Sequence, residues 1–293
     1  MGENYITQCN PSLDRIEMRS IQLPSGQAIP ILGLGTWRMG ENHKHHQAEV
    51  KALRHGLDLG MTLIDTAEMY GEGGAEAVIA EVMANRRSEI FLVSKVYPHN
   101  ATRQEVIKAC ERSLTRLKTD YLNLYLLHWR GSVPLSETFS AFEILKQQGK
   151  IRDYGVSNFD VADMEEGYAI AGSAIATNQV LYNLMRRGIE WDLLPWCQQR
   201  GIPIMAYSPV EQGRLLHRKP LQTIAQQHGV TPAQIAIAWL LHQENVIAIP
   251  KAGSLAHIEQ NYAALNLRLT SEDLQALDAA FPPPTKPIAL EML

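Results

Sequence analysis

Four side chains in the first half of the chain have the types and spacing to put a proton on a carbonyl oxygen: Asp65, Tyr70, Lys95 and His128. Asp65, Lys95 and His128 each stand at the end of a short apolar run (LID, FLVSK and LYLLH), and Tyr70 lies in the segment directly after the first. A free phenol titrates near ~10, which makes it a poor acid at neutral pH. An adjacent ammonium stabilises the phenolate, so Lys95 is expected to lower the pKa of Tyr70, with Asp65 holding Lys95 charged and in place. His128 donates a hydrogen bond as neutral or cationic imidazole and so suits the same oxygen. No Ser or Cys nucleophile of acyl transfer accompanies the four, and no His/carboxylate spacing of a zinc site. Taken singly, Asp65 and Lys95 read as well as a structural ion pair; the four together point to acid catalysis. His43, His45 and His46 lack an acidic or Cys partner and read as a solvated loop before a helix, and no metal is expected.

Something must bring these groups to one place. Seven apolar runs end alike, in one or two polar residues: LIDT, FLVSK, LYLLH, GVSN, ATNQ, PIMAYS and VIAIPK. Short strands buried on both faces need apolar side chains throughout, so the polar ends call for a separate reason. An eight-fold β/α barrel supplies it, because the C-terminal ends of its strands surround one shared site. The first barrel strand is expected near Ile31 to Thr36, and the others near residues 62, 90, 121, 154, 176, 203 and 246, with room for a helix in each gap. Val106, Cys110, Leu114 and Leu117 share one helical face, and Thr231-Pro232-Ala233-Gln234 is a capping box with proline at the first helical position. The longest gap, before the eighth strand, holds Glu211 to Val230, read as a loop and an extra helix. Residues 18–31 alternate around Pro24-Ser25-Gly26 and predict a β-hairpin ahead of the barrel, and two more helices, near His257–Leu265 and Ser271–Ala280, follow it. The fold class is therefore α/β, a (β/α)8 TIM barrel with an N-terminal hairpin and extra C-terminal helices. One domain is expected over 18–293, with a flexible extension over 1–17.

Composition narrows the partners. A barrel of this kind needs about 250 residues, and the chain has 293. Hydrophobic residues make up 45%, enough for a large core, and the net charge of -4 gives no basic field for nucleic acid or anionic membrane. No apolar run approaches the roughly 18 residues of a membrane span. Three cysteines, Cys9, Cys110 and Cys197, without metal-ligand spacing or a preceding leader, suggest a reducing cytoplasm.

The motifs around the four residues resemble the aldo-keto reductases. The resemblance runs from about Ile21 to Asp278 and rests on GLGTW, DTAEMYGEGGAE, LVSKVYP, YLNLYLLHW, YGVSNF, NQVLYN, MAYSPV and IPKA. It implies that Asp65, Tyr70, Lys95 and His128 form that family's catalytic tetrad and that the cofactor is NADPH or NADP+. Ser157, Asn158 and Gln179 then hold the nicotinamide amide and Tyr207 stacks on its ring. Ser208 and the loop through Gly213 and Leu215 match the pyrophosphate segment, and Thr36 and Trp37 adjoin the cofactor. Trp37, Tyr97 and Trp129, after the first, third and fourth strands, suit the wall of a carbonyl pocket. No G-x-G-x-x-G follows any strand, so a Rossmann site is not expected. Gly71, Gly73 and Gly74 read as a turn shaping the Tyr70 loop.

The 2′-phosphate region departs from the family's common pattern, in which Lys-Ser or Lys-Thr follows proline, an Arg comes six residues after that Lys, and Glu-Asn follows. Here Lys251 and Asn261 remain, while Ala252, His257 and Gln260 stand at the other places. Lys suffices as a point charge for phosphate, but the bidentate clamp of Arg is missing, so NADPH is expected with NADH weaker. Within the family the run of motifs is similar to bacterial members that reduce methylglyoxal. The expected activity is NADPH-dependent reduction of aldehydes and reactive ketones, small 2-oxoaldehydes among them, with a small-molecule carbonyl as the only obligatory partner. A cofactor-binding regulatory or assembly subunit is the competing class, against which the intact tetrad argues. Steroid double-bond reduction accompanies Glu at the His128 place, and histidine speaks against it. The short tail, Thr285 to Leu293, is expected to leave a low outer wall that favours small carbonyls; the alternative is a tail folded inward with Leu290 and Met292.

Overall fold

A computed structural model describes residues 16–293 of the protein. Two short strands, β1 (Ser20–Gln22) and β2 (Ala28–Pro30), pair antiparallel about Pro24-Ser25-Gly26. Strands and helices then alternate: β3 (Gly33–Gly35), α1 (His46–Asp58), β4 (Leu63–Asp65), α2 (Gly74–Val82), β5 (Phe91–Val96) and α3 (Arg103–Leu117). The series continues with β6 (Leu122–Leu127), α4 (Leu135–Gln147), β7 (Ile151–Ser157), α5 (Val161–Ala171), β8 (Ile175–Leu181), α6 (Leu193–Gln198) and β9 (Ile204–Tyr207). Two helices, α7 (Lys219–His228) and α8 (Pro232–His242), precede β10 (Val246–Ala248), and α9 (Leu255–Ala263) and α10 (Ser271–Ala280) follow it. Strands β3 to β10 pair in parallel in chain order. Bridges from Leu32 to Ala248 and from Gly35 to Lys251 join the last strand's edge to the first and close the barrel.

The helix signals act as their chemistry requires. Thr102 caps α3 by accepting from the Glu105 amide, and the helix buries Val106, Cys110, Leu114 and Leu117 against the sheet. Thr231 and Gln234 form the reciprocal box at the start of α8, satisfying amides that would otherwise lack partners. The barrel interior is filled by Leu63, Phe91, Val93, Leu124, Leu126, Ala176, Met205 and Ile247, joined by Leu23 and Ile29 of the hairpin. Ser25 of the hairpin donates to Asp153 near the start of β7, so the hairpin plugs the N-terminal mouth and leaves the opposite mouth to the site.

Strand alternation then aims the polar ends. Leu63 points inward and so does Asp65 two residues on; Phe91 and Val93 are followed by Lys95; Leu124 and Leu126 are followed by His128. Their neighbours Ile64, Leu92, Tyr125 and Leu127 pack instead in the layer under the helices. Residues 1–15 of the expected extension lie outside the described residues; at its end the amide and carbonyl of Ile16 both bond the Tyr262 hydroxyl, at 2.7 and 3.0 Å. Among the described residues no helix is long and apolar enough to cross a membrane.

Candidate active site

Lys95 is fully buried, and its ammonium donates to three oxygens: Asp65 Oδ2 at 2.8 Å, the Thr66 carbonyl at 2.8 Å and Tyr70 Oη at 3.2 Å. Three donors thus meet three acceptors, which such a buried cation requires. Burial still holds the ammonium below its ordinary pKa, against the opposing pull of Asp65. Tyr70 opens a turn in which Gly71 (φ 57°) and Gly73 (φ 89°) take left-handed backbone. A Cβ on Gly71 would also stand 2.9 Å from the Met39 carbonyl, so that position accepts glycine alone, and the turn sets the phenol over Lys95.

The expected lowering of the Tyr70 pKa is overturned. Burial raises it well above the ordinary phenol value, and the Asp65 carboxylate adds to the rise. The ammonium was expected to dominate because it is the nearest charge; desolvation of the phenolate outweighs it. Tyr70 is therefore a neutral phenol throughout the neutral range, with its proton in place. His128, 8% exposed, is likewise driven to its neutral form, first by burial and then by the Lys95 charge. Its Nδ1 is buried with no hydrogen-bond partner.

The rings of Tyr70 and His128 meet edge to face at 5.8 Å. Trp129 lies 4.9 Å from His128, and Tyr97 stands at 6.4 Å from His128 and 5.8 Å from Trp129. Two of the three expected wall residues, Tyr97 and Trp129, thus gather beside the tetrad. Trp37 is 37% exposed and is covered by the guanidinium of Arg38, 4.4 Å above its ring, rather than by that cluster.

The residues expected at the nicotinamide form one network continuous with the tetrad. Gln179 Nε2 donates to Asp65 Oδ1 at 2.7 Å, Ser157 Oγ to the Gln179 carbonyl at 2.8 Å, and Tyr207 Oη to Asn158 Oδ1 at 2.9 Å. Asn158 Nδ2 donates to the His128 carbonyl at 3.1 Å. Gln179 owes its direction to a bulge. From Tyr154 to Val156 is two steps on β7, whereas their partners Ile175 and Asn178 are three apart on β8. Ala176 fills the barrel, yet it is Gln179 that reaches Asp65, while Asn178 bonds Phe159 on the helix side. The extra residue switches the parity of the strand. Gly155 makes the bulge possible, since a Cβ there would lie 2.5 Å from the Thr177 carbonyl. Thr36, fully buried, donates to the Asp65 carbonyl at 2.9 Å.

Farther out, Ser208 (φ 54°) and Gly213 (φ 91°) bend the chain between β9 and α7, and Leu215 sends its side chain into the core, leaving its backbone to the loop. Lys251 and His257 are exposed, Gln260 is half-buried and Asn261 buried. Lys251 and His257 flank the start of α9, where Ser254 caps the His257 amide, and Gln260 and Asn261 lie in its second half. A helix N-terminus offers free amides and a positive dipole end to an anion. Among the described residues no side-chain hydrogen bond or ion pair joins this outer group to the tetrad.

Sequence reasoning missed the supports of the Ser208–Leu215 segment. Glu211 is fully buried and takes bonds from Asn183 (2.9 Å), Arg186 (3.0 and 2.9 Å) and Arg214 (3.1 Å). Burial alone would raise its pKa; the bonds from Arg186 and Asn183 outweigh that and hold it ionised. The one visible signal was a charged residue after Ser-Pro-Val. The tail after Pro284 folds back onto the barrel. Leu290 packs against the core and Glu291 pairs with Arg186. Of the two residues of the inward alternative, Leu290 is half-buried against the core and Met292 is exposed.

Comparisons with known proteins agree with this geometry. A sequence profile of the Aldo/keto reductase family matches residues 31–281. The chain is 51% identical over 284 residues to methylglyoxal reductase YeaE of Escherichia coli (strain K12), covering 95% of this chain and 100% of that one. It is 35% identical to glyoxal reductase of Bacillus subtilis (strain 168), over 89% of this chain and 92% of that protein. Its fold superposes with a TM-score of 0.92 on an aldo/keto reductase from Klebsiella pneumoniae solved with NADP and acetate, 48% identical over 94% of this chain and all of that one. The chain belongs to the aldo/keto reductase family and is an oxidoreductase.

Proposed function

We propose that this protein reduces aldehydes and reactive ketones with NADPH, small 2-oxoaldehydes such as methylglyoxal among them, and that Tyr70 is the proton donor. The observation that carries the reading is the Lys95 ammonium bonded at once to Asp65, Thr66 and Tyr70 beneath a neutral His128. Similarity to reductases named for methylglyoxal and glyoxal supports the substrate class. The set also offers a nicotinamide amide an acceptor, since Gln179 gives its Nε2 to Asp65 and so keeps Oε1 free, beside Ser157 and Asn158, whose own donors are turned to the Gln179 and His128 carbonyls. In this reading Tyr207 lies under the ring, the Ser208–Leu215 segment takes the pyrophosphate, and Lys251, His257, Gln260 and Asn261 take the adenosine phosphate. Thr36 and Trp37 line the same cleft.

A bound reduced nicotinamide supplies hydride to the carbonyl carbon. Tyr70 and His128 hold the carbonyl oxygen, and Tyr70 gives up its proton as negative charge develops there. The phenolate oxygen so formed has the Lys95 ammonium at 3.2 Å, so the cation acts when the charge appears rather than in the resting phenol. Tyr97 and Trp129 keep water from the reacting oxygen.

The test is kcat/KM for methylglyoxal, phenylglyoxal, nitrobenzaldehyde and a steroid ketone with NADPH and with NADH. Efficient turnover of the dicarbonyls with NADPH is expected. A steroid used more efficiently than every dicarbonyl would remove the substrate assignment, and no NADPH consumption with any carbonyl would remove the activity.

A further inference from the structure

The buried Glu211 and the tail share one arginine. Arg186, in the connection between β8 and α6, grips Glu211 through Nε (3.0 Å) and Nη2 (2.9 Å) and pairs with Glu291 through Nη1. Glu291 is 105 residues farther along the chain. Glu211 itself begins the Glu211–His217 turn, where Glu211 (φ 51°), Gln212 (φ 53°) and Gly213 (φ 91°) are all left-handed. Two consecutive non-glycine residues in that region hold only where surrounding contacts fix them, and the four bonds to Glu211 are those contacts. The tail, by contrast, is held at few points. Ile288 rests on Gly188, Glu291 pairs with Arg186, and a cavity of about 300 Å³ lies between Pro287–Glu291 and Asp160, Leu181 and Ile189. Leu290 alone of the tail packs against the core, so the ion pair beside it is the tail's polar anchor.

We propose that Arg186 is a positioning residue that couples the Glu211–His217 turn to the C-terminal tail, so that cofactor held under the turn keeps the tail docked, and the docked tail slows cofactor release. This rests on the reading above that the turn covers the cofactor. Because the coupling is an equilibrium one, nucleotide favours the docked tail by the same factor by which the docked tail tightens nucleotide binding. Arg186 and Glu291 are 31% and 36% exposed, so the link is partly screened and its strength modest.

The experiment uses the full-length protein and Glu291→Gln, which keeps the shape of the side chain and removes its charge. Nucleotide binding is first measured by fluorescence titration with NADPH and NADP+. Carboxypeptidase removal of Leu293 and Met292 is then followed by mass spectrometry with and without saturating NADP+. In the wild type NADP+ is expected to slow trimming by about threefold, the protection vanishing in Glu291→Gln, from which NADPH dissociates about threefold faster at an unchanged single-turnover hydride rate. A merely structural pair would lower the melting temperature without making tail trimming depend on nucleotide. Trimming that is equally fast with and without NADP+ at a saturated wild-type site, or protection that persists in Glu291→Gln, overturns the coupling. Failure of the wild type to bind either nucleotide would overturn the cofactor reading, and the coupling with it, and the titration separates that outcome from the others.

Discussion

Two lysines mark opposite ends of the candidate site, and they meet opposite conditions. Lys95, on the floor of the mouth, is fully buried, bonded to three oxygens and depressed in pKa by desolvation. Lys251, on the rim, is exposed and makes no hydrogen bond or ion pair among the described residues. Charge interactions are strong where water is excluded and weak where it screens them. The floor is thus suited to a chemical step, where a few kcal/mol decide the rate. The rim is suited to choosing between cofactors, where a modest and salt-sensitive preference is enough.

The sharpest break of this comparison is on the floor. Lys95→Met should cut kcat by about 10²- to 10⁴-fold, since a positioned acid loses its partner. It should also destabilise the fold by about 3–5 kcal/mol, because the Asp65 carboxylate stays buried without its cation. Tyr70→Phe should lose activity on the same scale with NADPH affinity nearly unchanged. Single-turnover rates, denaturant titrations and nucleotide binding check all three; more than a third of the wild-type rate in Tyr70→Phe would end its assignment as proton donor.

A pH profile probes the same floor without mutation. With the phenol's pKa raised, the proton-bearing form persists as pH rises, so the chemistry-limited reduction rate should not fall until above the ordinary tyrosine range near ~10. With the imidazole's pKa lowered, His128 stays neutral as pH falls through ~6.5, and no inflection belongs there. An alkaline decline centred near pH 8 would restore the ammonium-dominated view of Tyr70.

Effects at the rim should be smaller. Lys251→Met is expected to weaken NADPH about tenfold and NADH little, one charge-assisted contact being worth ~1.5 kcal/mol at an exposed place. Raising ionic strength should erode the wild-type preference in the same direction while leaving the hydride step alone. Equal weakening of both cofactors would remove Lys251 from the phosphate site. His257→Ala should change NADPH affinity least, by about twofold, at the scale of an exposed charge contact.

Asp65, Lys95 and His128 were legible because they continue the inward parity of apolar runs that already read as strands, and a polar side chain there has few structural uses. Gly71 and Gly73 were legible as a turn because glycine enters left-handed backbone without steric cost. The direction of the Tyr70 pKa was not, since desolvation depends on atoms from several strands whose density around the phenol no local spacing reports. Gln179 was identified by its motif alone; counting alternate positions from Ala176 would have aimed Asn178 into the barrel. The bulge that corrects this rests on the pairing of β7 with β8, a non-local fact.

By itself, then, the sequence determined the order of strands and helices, the barrel class and the polar residues at the strand ends, because hydrophobic periodicity and capping are local and act through near neighbours in the chain. Only the tertiary structure decided the parity of Gln179, the ionisation of Tyr70 and His128, and the docking of the tail through Arg186. Each of these depends on groups tens of residues or more apart sharing one low-dielectric space, and the energies that choose among their arrangements exist only once that space has closed.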